Sequence, residues 1–406
     1  MDTKKTKKAH DMKGIKFHRF VYKILSPLVR AFLAPKFNFD FEKVKISQSP
    51  YLVISNHVTN WDAVLITSSF KKHMYFVASD QVYRMGFKSK LIKFLTSPIP
   101  RIKTINETET VIAIFKSLRA GCSVCLYVEG NTTSDGETLE IHPSIGKLVK
   151  RSKVPLVTYR VTGGFFTAPK WARHTHKGKM KGRLVQIYTP EQIALMSEEE
   201  IYETVKKDIY VNAYADQEKN RIAYRGKKPA EYLETILYCC PKCKQLSTLT
   251  SKDDLFFCVC GYKVRFNEYG YFESTNNEPP VFTTILDWAK WQRKQIALII
   301  DNINDNDTPI ITDDEQSLHQ ATRASHTTFI ADGKLSLYKD RLSLTTKMNQ
   351  TISFPLDSIV ELNVFARMRI IFSTDEHNVY EIHCEHPRSA IKYFDAVRTL
   401  QSKRST

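Results

Sequence analysis

Two side chains in the stretch Ser55-Asn56-His57-Val58-Thr59-Asn60-Trp61-Asp62 have types that can do chemistry together, His57 and Asp62. A carboxylate beside an imidazole fixes one tautomer and leaves the other ring nitrogen free as a general base. The pair cannot meet on one continuous helix, because positions five apart point about 140° away from each other. They meet only if His57 lies in a turn and Asp62 in the first turn of a helix, where the helix N-terminus also favours negative charge. The flanks fit that arrangement. Tyr51-Leu52-Val53-Ile54 reads as a buried strand, and Ala63-Val64-Leu65-Ile66 as the start of a helix. A helix-capping aspartate beside an ordinary loop histidine fits the same residues.

The surrounding elements must hold that turn. Residues 36–213 alternate strand and helix patterns, with strands expected at 51–55, 74–78, 123–128, 155–161 and 183–188. Ser197-Glu198-Glu199-Glu200 is a capping box opening a helix to about Tyr214, and Asn106-Glu107-Thr108-Glu109 reads as another. This alternation predicts an α/β domain with a mostly parallel sheet flanked by helices.

Further segments follow the histidine in a fixed order. Ser97-Pro98-Ile99-Pro100-Arg101-Ile102-Lys103 carries an arginine. Tyr127-Val128-Glu129-Gly130-Asn131-Thr132-Thr133 ends a strand, and Val154-Pro155-Leu156-Val157-Thr158-Tyr159 is an apolar strand with proline. The series resembles the four motifs of the glycerolipid acyltransferases of the 1-acyl-glycerol-3-phosphate type. The resemblance implies transfer of a fatty acyl group from acyl-CoA or acyl carrier protein to a lysophospholipid hydroxyl, giving phosphatidate. His57 would be the general base, Asp62 its orienter, and no cofactor would serve catalysis. It also implies substrate contacts at Asn56, Arg101, Glu129, Gly130, Asn131 and Thr132. An arginine can grip a phosphate bidentately, and a glycine lets backbone N–H groups come close. Glu129 would repel phosphate, so it is expected to organise the site through hydrogen bonds to Arg101 or to backbone. Val128 and Thr132 depart from the family's usual proline and arginine. Arg160 or the basic run Lys170–Lys177 is a candidate substitute, and Gly163-Gly164 suggests a close backbone approach. The alternative is a non-catalytic lipid-binding adaptor on an acyltransferase scaffold.

Outside the 36–230 domain, residues 1–35 form a basic tail and an amphipathic helix. Its apolar stripe includes Phe17, Phe20, Ile24, Leu28 and Phe32, and Pro27 should kink it. The stripe either packs on the domain or lies in a membrane interface. Cys240-Pro241-Lys242-Cys243 and Cys258-Val259-Cys260-Gly261 read as a four-thiolate structural zinc ribbon over 231–270, with Cys239 an alternative ligand to Cys240. Residues 271–323 read as a helix and an acidic linker. Short strands over 324–406, closed by a helix from about Pro387, resemble a pleckstrin-homology or GRAM domain.

The 406 residues imply two or three domains. A net charge of +17 points to an anionic partner. No nucleic acid is expected, because Asp253 and Asp254 lie between the cysteine pairs. Eight cysteines, mostly clustered, fit a metal site in a reducing compartment better than a disulfide scaffold. No window approaches the ~18–20 apolar residues of a membrane span, and residues 1–23 lack the apolar core of a secretory signal. The expected location is peripheral, on the cytoplasmic face of a membrane.

Overall fold

Leu52, Val53 and Ile54 are all fully buried, although neighbouring strand residues face opposite ways. A strand apolar on both faces needs cover on both. Leu52 and Ile54 join one core with Val124, Leu156 and helix residues such as Ile114, Val149 and Val205. Val53 joins the other with Cys125, Val157, Leu65 and Phe70. The computed structural model describes residues 14–79, 87–101, 107–321, 327–365 and 367–404. The basic tail over 1–12, Ile102, Lys103 and the first residue of the 106–109 capping box lie outside them. The chain divides into two units, 1–169 with 176–224, and 170–175 with 225–406.

The first unit begins with α1 (Ile15–Leu28), which runs through a π-helical turn (Val29–Leu33) into α2 (Ala34–Lys36). Pro27 sits inside α1, and the wider turn follows two residues after it. Next come β1 (Phe39–Phe41), β2 (Leu52–Ser55), α3 (Asp62–Leu65), β3 (Met74–Ser79), α4 (Phe87–Thr96), β4 (Ile99–Arg101), α5 (Glu107–Arg119) and β5 (Ser123–Tyr127). After these come α6 (Ser144–Ser152), β6 (Leu156–Thr162), α7 (Gly164–Thr167), β7 (Met180–Tyr188), α8 (Pro190–Leu195), α9 (Glu198–Ile209) and α10 (Ala213–Asn220). The sheet order is β1-β7-β6-β2-β5-β3-β4. The five strands from β6 to β4 are parallel, while β7 runs antiparallel to β6 and carries β1 alongside it. Ser197 caps α9 reciprocally with Glu200, as the capping box predicts. Parallel packing brings the carboxyl ends of β2, β4, β5 and β6 to one edge, the usual ligand-binding edge of such a sheet.

The second unit holds β8 (Leu249–Lys252), β9 (Leu255–Cys258), β10 (Lys263–Phe266) and β11 (Phe272–Ser274) in an antiparallel sheet, followed by α11 (Ile285–Asn302). A seven-stranded antiparallel sheet is built from β12 (Ile311–Ala321), β13 (Thr327–Leu337), β14 (Arg341–Thr346), β15 (Thr351–Pro355), β16 (Ile359–Phe365), β17 (Arg369–Thr374) and β18 (Val379–Cys384). Its order is β15-β14-β13-β12-β18-β17-β16, and α12 (Ile391–Arg404) closes it. β12 occupies sequence expected to be linker. It pairs on both sides, with β13 and β18, across a bulge between Asp313 and Gln316.

Candidate active site

The turn after β2 folds around one carboxylate. Asp62, the first residue of α3, has no solvent exposure and accepts four hydrogen bonds. Its Oδ2 takes the backbone N–H groups of Val58 (2.7 Å) and Thr59 (2.9 Å) and meets His57 Nδ1 at 2.9 Å. Its Oδ1 takes the Thr59 hydroxyl at 2.6 Å. A buried carboxylate is tolerable only when its lone pairs are occupied, and here the turn itself occupies them. The bond to Nδ1 places that nitrogen's proton toward Asp62 and leaves Nε2 as the acceptor. The imidazole retains 22% side-chain exposure, so it is reachable from outside.

The loop after β5 holds the same histidine from the other side. Tyr127, the last residue of β5, stacks on the His57 ring with centroids 4.5 Å apart. Glu129 Oε1 accepts the backbone N–H of His57 and Oε2 that of Leu139, each at 2.6 Å. Thr133 N–H donates to the carbonyl of His57 at 3.2 Å. Both polar groups of the His57 peptide are therefore tied to this loop. Burial pushes the Glu129 carboxyl up to about 8, against the opposing pull of its two N–H bonds. The expected backbone bonding of Glu129 is what the structure has.

Gly130 has φ +73°, a left-handed conformation that glycine adopts without strain. A Cβ there would lie 2.6 Å from Nη1 of Arg101, so the guanidinium from the end of β4 rests directly over the glycine. Asn131 and Thr132 continue the loop, half-buried. Gly164 comes close to the His57 turn, since its Cβ would meet the Val58 and Thr59 side chains at 2.5 and 2.8 Å.

Two sequence assignments change. Asn56 was expected to contact substrate. It is fully buried, and its amide pairs with Val161 of β6 in both directions at 2.8 Å, extending the β2–β6 ladder by one residue. Arg160 was a candidate phosphate contact. Its Nε and Nη2 instead donate to the carbonyl of Asp208 at the end of α9, at 2.8 and 2.6 Å. Within the basic run, Trp171 is fully buried and donates to the Pro229 carbonyl. Sequence reasoning passed over Tyr127 and Thr59. Both lie within quoted motif segments, but nothing local marks a stacking ring or a hydroxyl that serves a carboxylate three residues on.

Residues 36–162 match the acyltransferase family model. Over those residues the chain is similar to an acyltransferase domain. The matched segment contains His57, Asp62, Arg101, Glu129 and Gly130. Among solved structures, the 1-acyl-sn-glycerophosphate acyltransferase PlsC from Thermotoga maritima aligns over 52% of this chain and 85% of its own, at 17% identity and a TM-score of 0.43. The C-terminal domain of an unknown protein from Leishmania infantum aligns over 23% of this chain and 84% of its own, at 11% identity and a TM-score of 0.17. No curated protein matches the chain.

Two other features bear on function. On α1 the buried face is His18, Val21, Tyr22 and Ser26. His18 Nδ1 meets the Tyr75 hydroxyl at 3.0 Å, and the Tyr22 hydroxyl donates to the Phe70 carbonyl at 3.0 Å. Apart from Val21 and Tyr22, the large apolar residues from Phe17 on point outward. Phe20, Ile24, Leu28 and Phe32 form an i, i+4 row with Phe20 61% and Phe32 70% exposed, and Phe17 touches the exposed Phe94 of α4. Among the described residues no helix is long and apolar enough to cross a membrane. In the second unit, the Sγ atoms of Cys240, Cys243, Cys258 and Cys260 all lie within 4.8 Å of one another. The pairs Cys240–Cys260 and Cys243–Cys258 are 3.7 Å apart. A tetrahedral ion with bonds of about 2.3 Å holds its ligands about 3.8 Å apart, so the donor set fits zinc. Cys239 is outside the cluster, its thiol turned to the Lys244 carbonyl.

Proposed function

We propose that the protein transfers a fatty acyl group from a thioester donor, acyl-CoA or acyl carrier protein, to the free hydroxyl of a lysophospholipid. The best-fitting acceptor is 1-acyl-glycerol-3-phosphate, with phosphatidate as product. The observation that carries this reading is His57 held through Nδ1 by a fully buried, fully satisfied carboxylate, with Nε2 left free. Nε2 takes the proton of the acceptor hydroxyl as its oxygen attacks the thioester carbonyl. The carbon–sulfur bond then breaks, and the imidazolium returns the proton to the departing thiolate. Asp62 stabilises the imidazolium between the two steps. Arg101, seated over Gly130, supplies a cation for the acceptor's phosphate.

The outward row of α1, flanked by exposed Lys16 and Lys23, supports docking on an anionic membrane surface, where the acceptor resides. The four cysteines would hold a structural zinc ion and staple a segment with a small core. The strand order and closing helix of the seven-stranded sheet support a pleckstrin-homology-like module. The test is acyl transfer to vesicle-borne lysophosphatidate with each donor. Wild-type turnover lost by His57→Ala is expected. Equal rates for the two proteins would remove His57 from the mechanism.

A further inference from the structure

The second unit contains a buried guanidinium that lies 5.5 Å from the Tyr393 ring centroid and whose nitrogens find no hydrogen-bond acceptor. Arg388 is 8% exposed, and its Nε, Nη1 and Nη2 are all buried without a hydrogen-bond acceptor. Its nearest carboxylate oxygen, Asp313 Oδ2, stands 3.6 Å from Nη1, beyond hydrogen-bond length. Asp313 is already engaged by the fully buried Lys392, at 2.6 Å through Oδ1. Asp313 is thus one carboxylate between two cations, Lys392 through Oδ1 and Arg388 through Oδ2, and one positive charge remains in excess.

Arg388 lines a cavity of about 40 Å³ together with Ser389, Ser247, Glu234 and Tyr238. That is room for a few water-sized groups. Ser389 Oγ is also buried without a partner. It lies two residues ahead of the first residue of α12, a fourteen-residue helix whose N-terminus favours an anion. Glu234 is the one carboxyl in the lining, and its Oε2 has no partner either. Burial pushes that carboxyl up, toward a neutral form able to donate. The remaining lining groups do not offset Arg388. The Tyr238 hydroxyl donates to Asp395, and Ser247 accepts from Lys392.

We propose that this cavity, between the cysteine-bearing sheet and the start of α12, is a binding site for a small tetrahedral oxyanion, phosphate or the terminal phosphomonoester of a larger molecule. The guanidinium fork and the Ser389 hydroxyl grip its oxygens. The site uses none of the residues of the acyltransferase loop.

The test is calorimetric titration of the full chain with inorganic phosphate, against chloride at matched ionic strength. An Arg101→Gln background keeps the acyltransferase loop from reporting. Phosphate binding is expected, weakened about tenfold or more by Arg388→Gln and to a smaller degree by Ser389→Ala. Glu234→Gln, which keeps a neutral donor at that position, should leave phosphate affinity nearly unchanged. Vesicles with and without phosphatidate separate the two sources. Arg388-dependent retention on phosphatidate alone assigns a lipid headgroup, and binding of inorganic phosphate assigns a free anion. No phosphate response and no Arg388-dependent retention overturns the proposal. So does a Glu234→Gln variant that binds markedly more tightly, which would make an ionised Glu234 the partner of Arg388. Should Arg388→Gln fail to fold, unchanged affinity in Ser389→Ala overturns it as well.

Discussion

The Asp62 turn and the Arg388 cavity solve the problem of a buried charge in opposite ways. Asp62 is fully enclosed, yet four donors reach it from the five residues before it. Arg388 is almost as enclosed, and no acceptor reaches its three nitrogens. An ion with all its partners in place costs nothing further when substrate arrives, and so can position a base in advance. An ion without partners carries a desolvation penalty that a ligand can relieve. The first arrangement suits catalysis, and the second suits binding.

The contrast can be broken most severely at Asp62. Asp62→Asn presents an amide to N–H donors and removes the charge behind the imidazolium. Acyl transfer should fall by ~10²–10⁴-fold, and the melting temperature should drop, both measurable on one purified sample. A next, smaller effect of opposite sign is expected in the second unit. Arg388→Met, in phosphate-free buffer, should raise the melting temperature, because it removes a buried guanidinium whose nitrogens have no hydrogen-bond acceptor. A fall would mean that the cation is satisfied within the fold. Gly130→Ala should then lower acceptor affinity more than it lowers turnover at saturation. The added methyl strains the left-handed backbone and displaces Arg101 without touching His57. Equal losses in KM and kcat would show that the loop acts on the base instead.

The smallest effect concerns pH. Glu129 holds its proton more tightly in the fold, up to about 8, than at its ordinary 4.5. Its contribution to stability is therefore greatest below the ordinary value and is lost as pH rises toward 8. Glu129→Gln should flatten the fall in melting temperature across that window. An unchanged slope would assign the pH dependence to other groups.

Much of the candidate site was legible because parallel sheets deliver their motifs to one edge. Once β2 and β5 were recognised as strands, the residues just past them had to converge, and His57, Glu129 and Gly130 do; the strand that brings Arg101 there, β4, was not expected. Asn56 was misread because its partner, Val161, lies 105 residues away, and no local pattern distinguishes a ladder-extending amide from a ligand contact. β12 was hidden by its composition. Asp313, Asp314, Glu315 and Gln316 break the alternation of a strand, and Glu315 adopts φ +58° at the bulge. Tertiary pairing on both sides overrides that local preference. Arg388 gave no signal at all, since an arginine in a short loop is ordinarily a solvated one.

The peptide of His57 is gripped at its nitrogen by Glu129 and at its oxygen by Thr133, so the base and the glycine loop travel as one piece. If Arg101 and His57 serve as proposed, the cationic cradle at one end of that piece and the imidazole at the other would form a fixed gauge. An acceptor would be measured by the number of bonds between its phosphorus and its attacking oxygen. Inserting a single methylene into that span should slow turnover even where the lipid tail and headgroup are unaltered, and equal rates for the two acceptors would show that the gauge is slack.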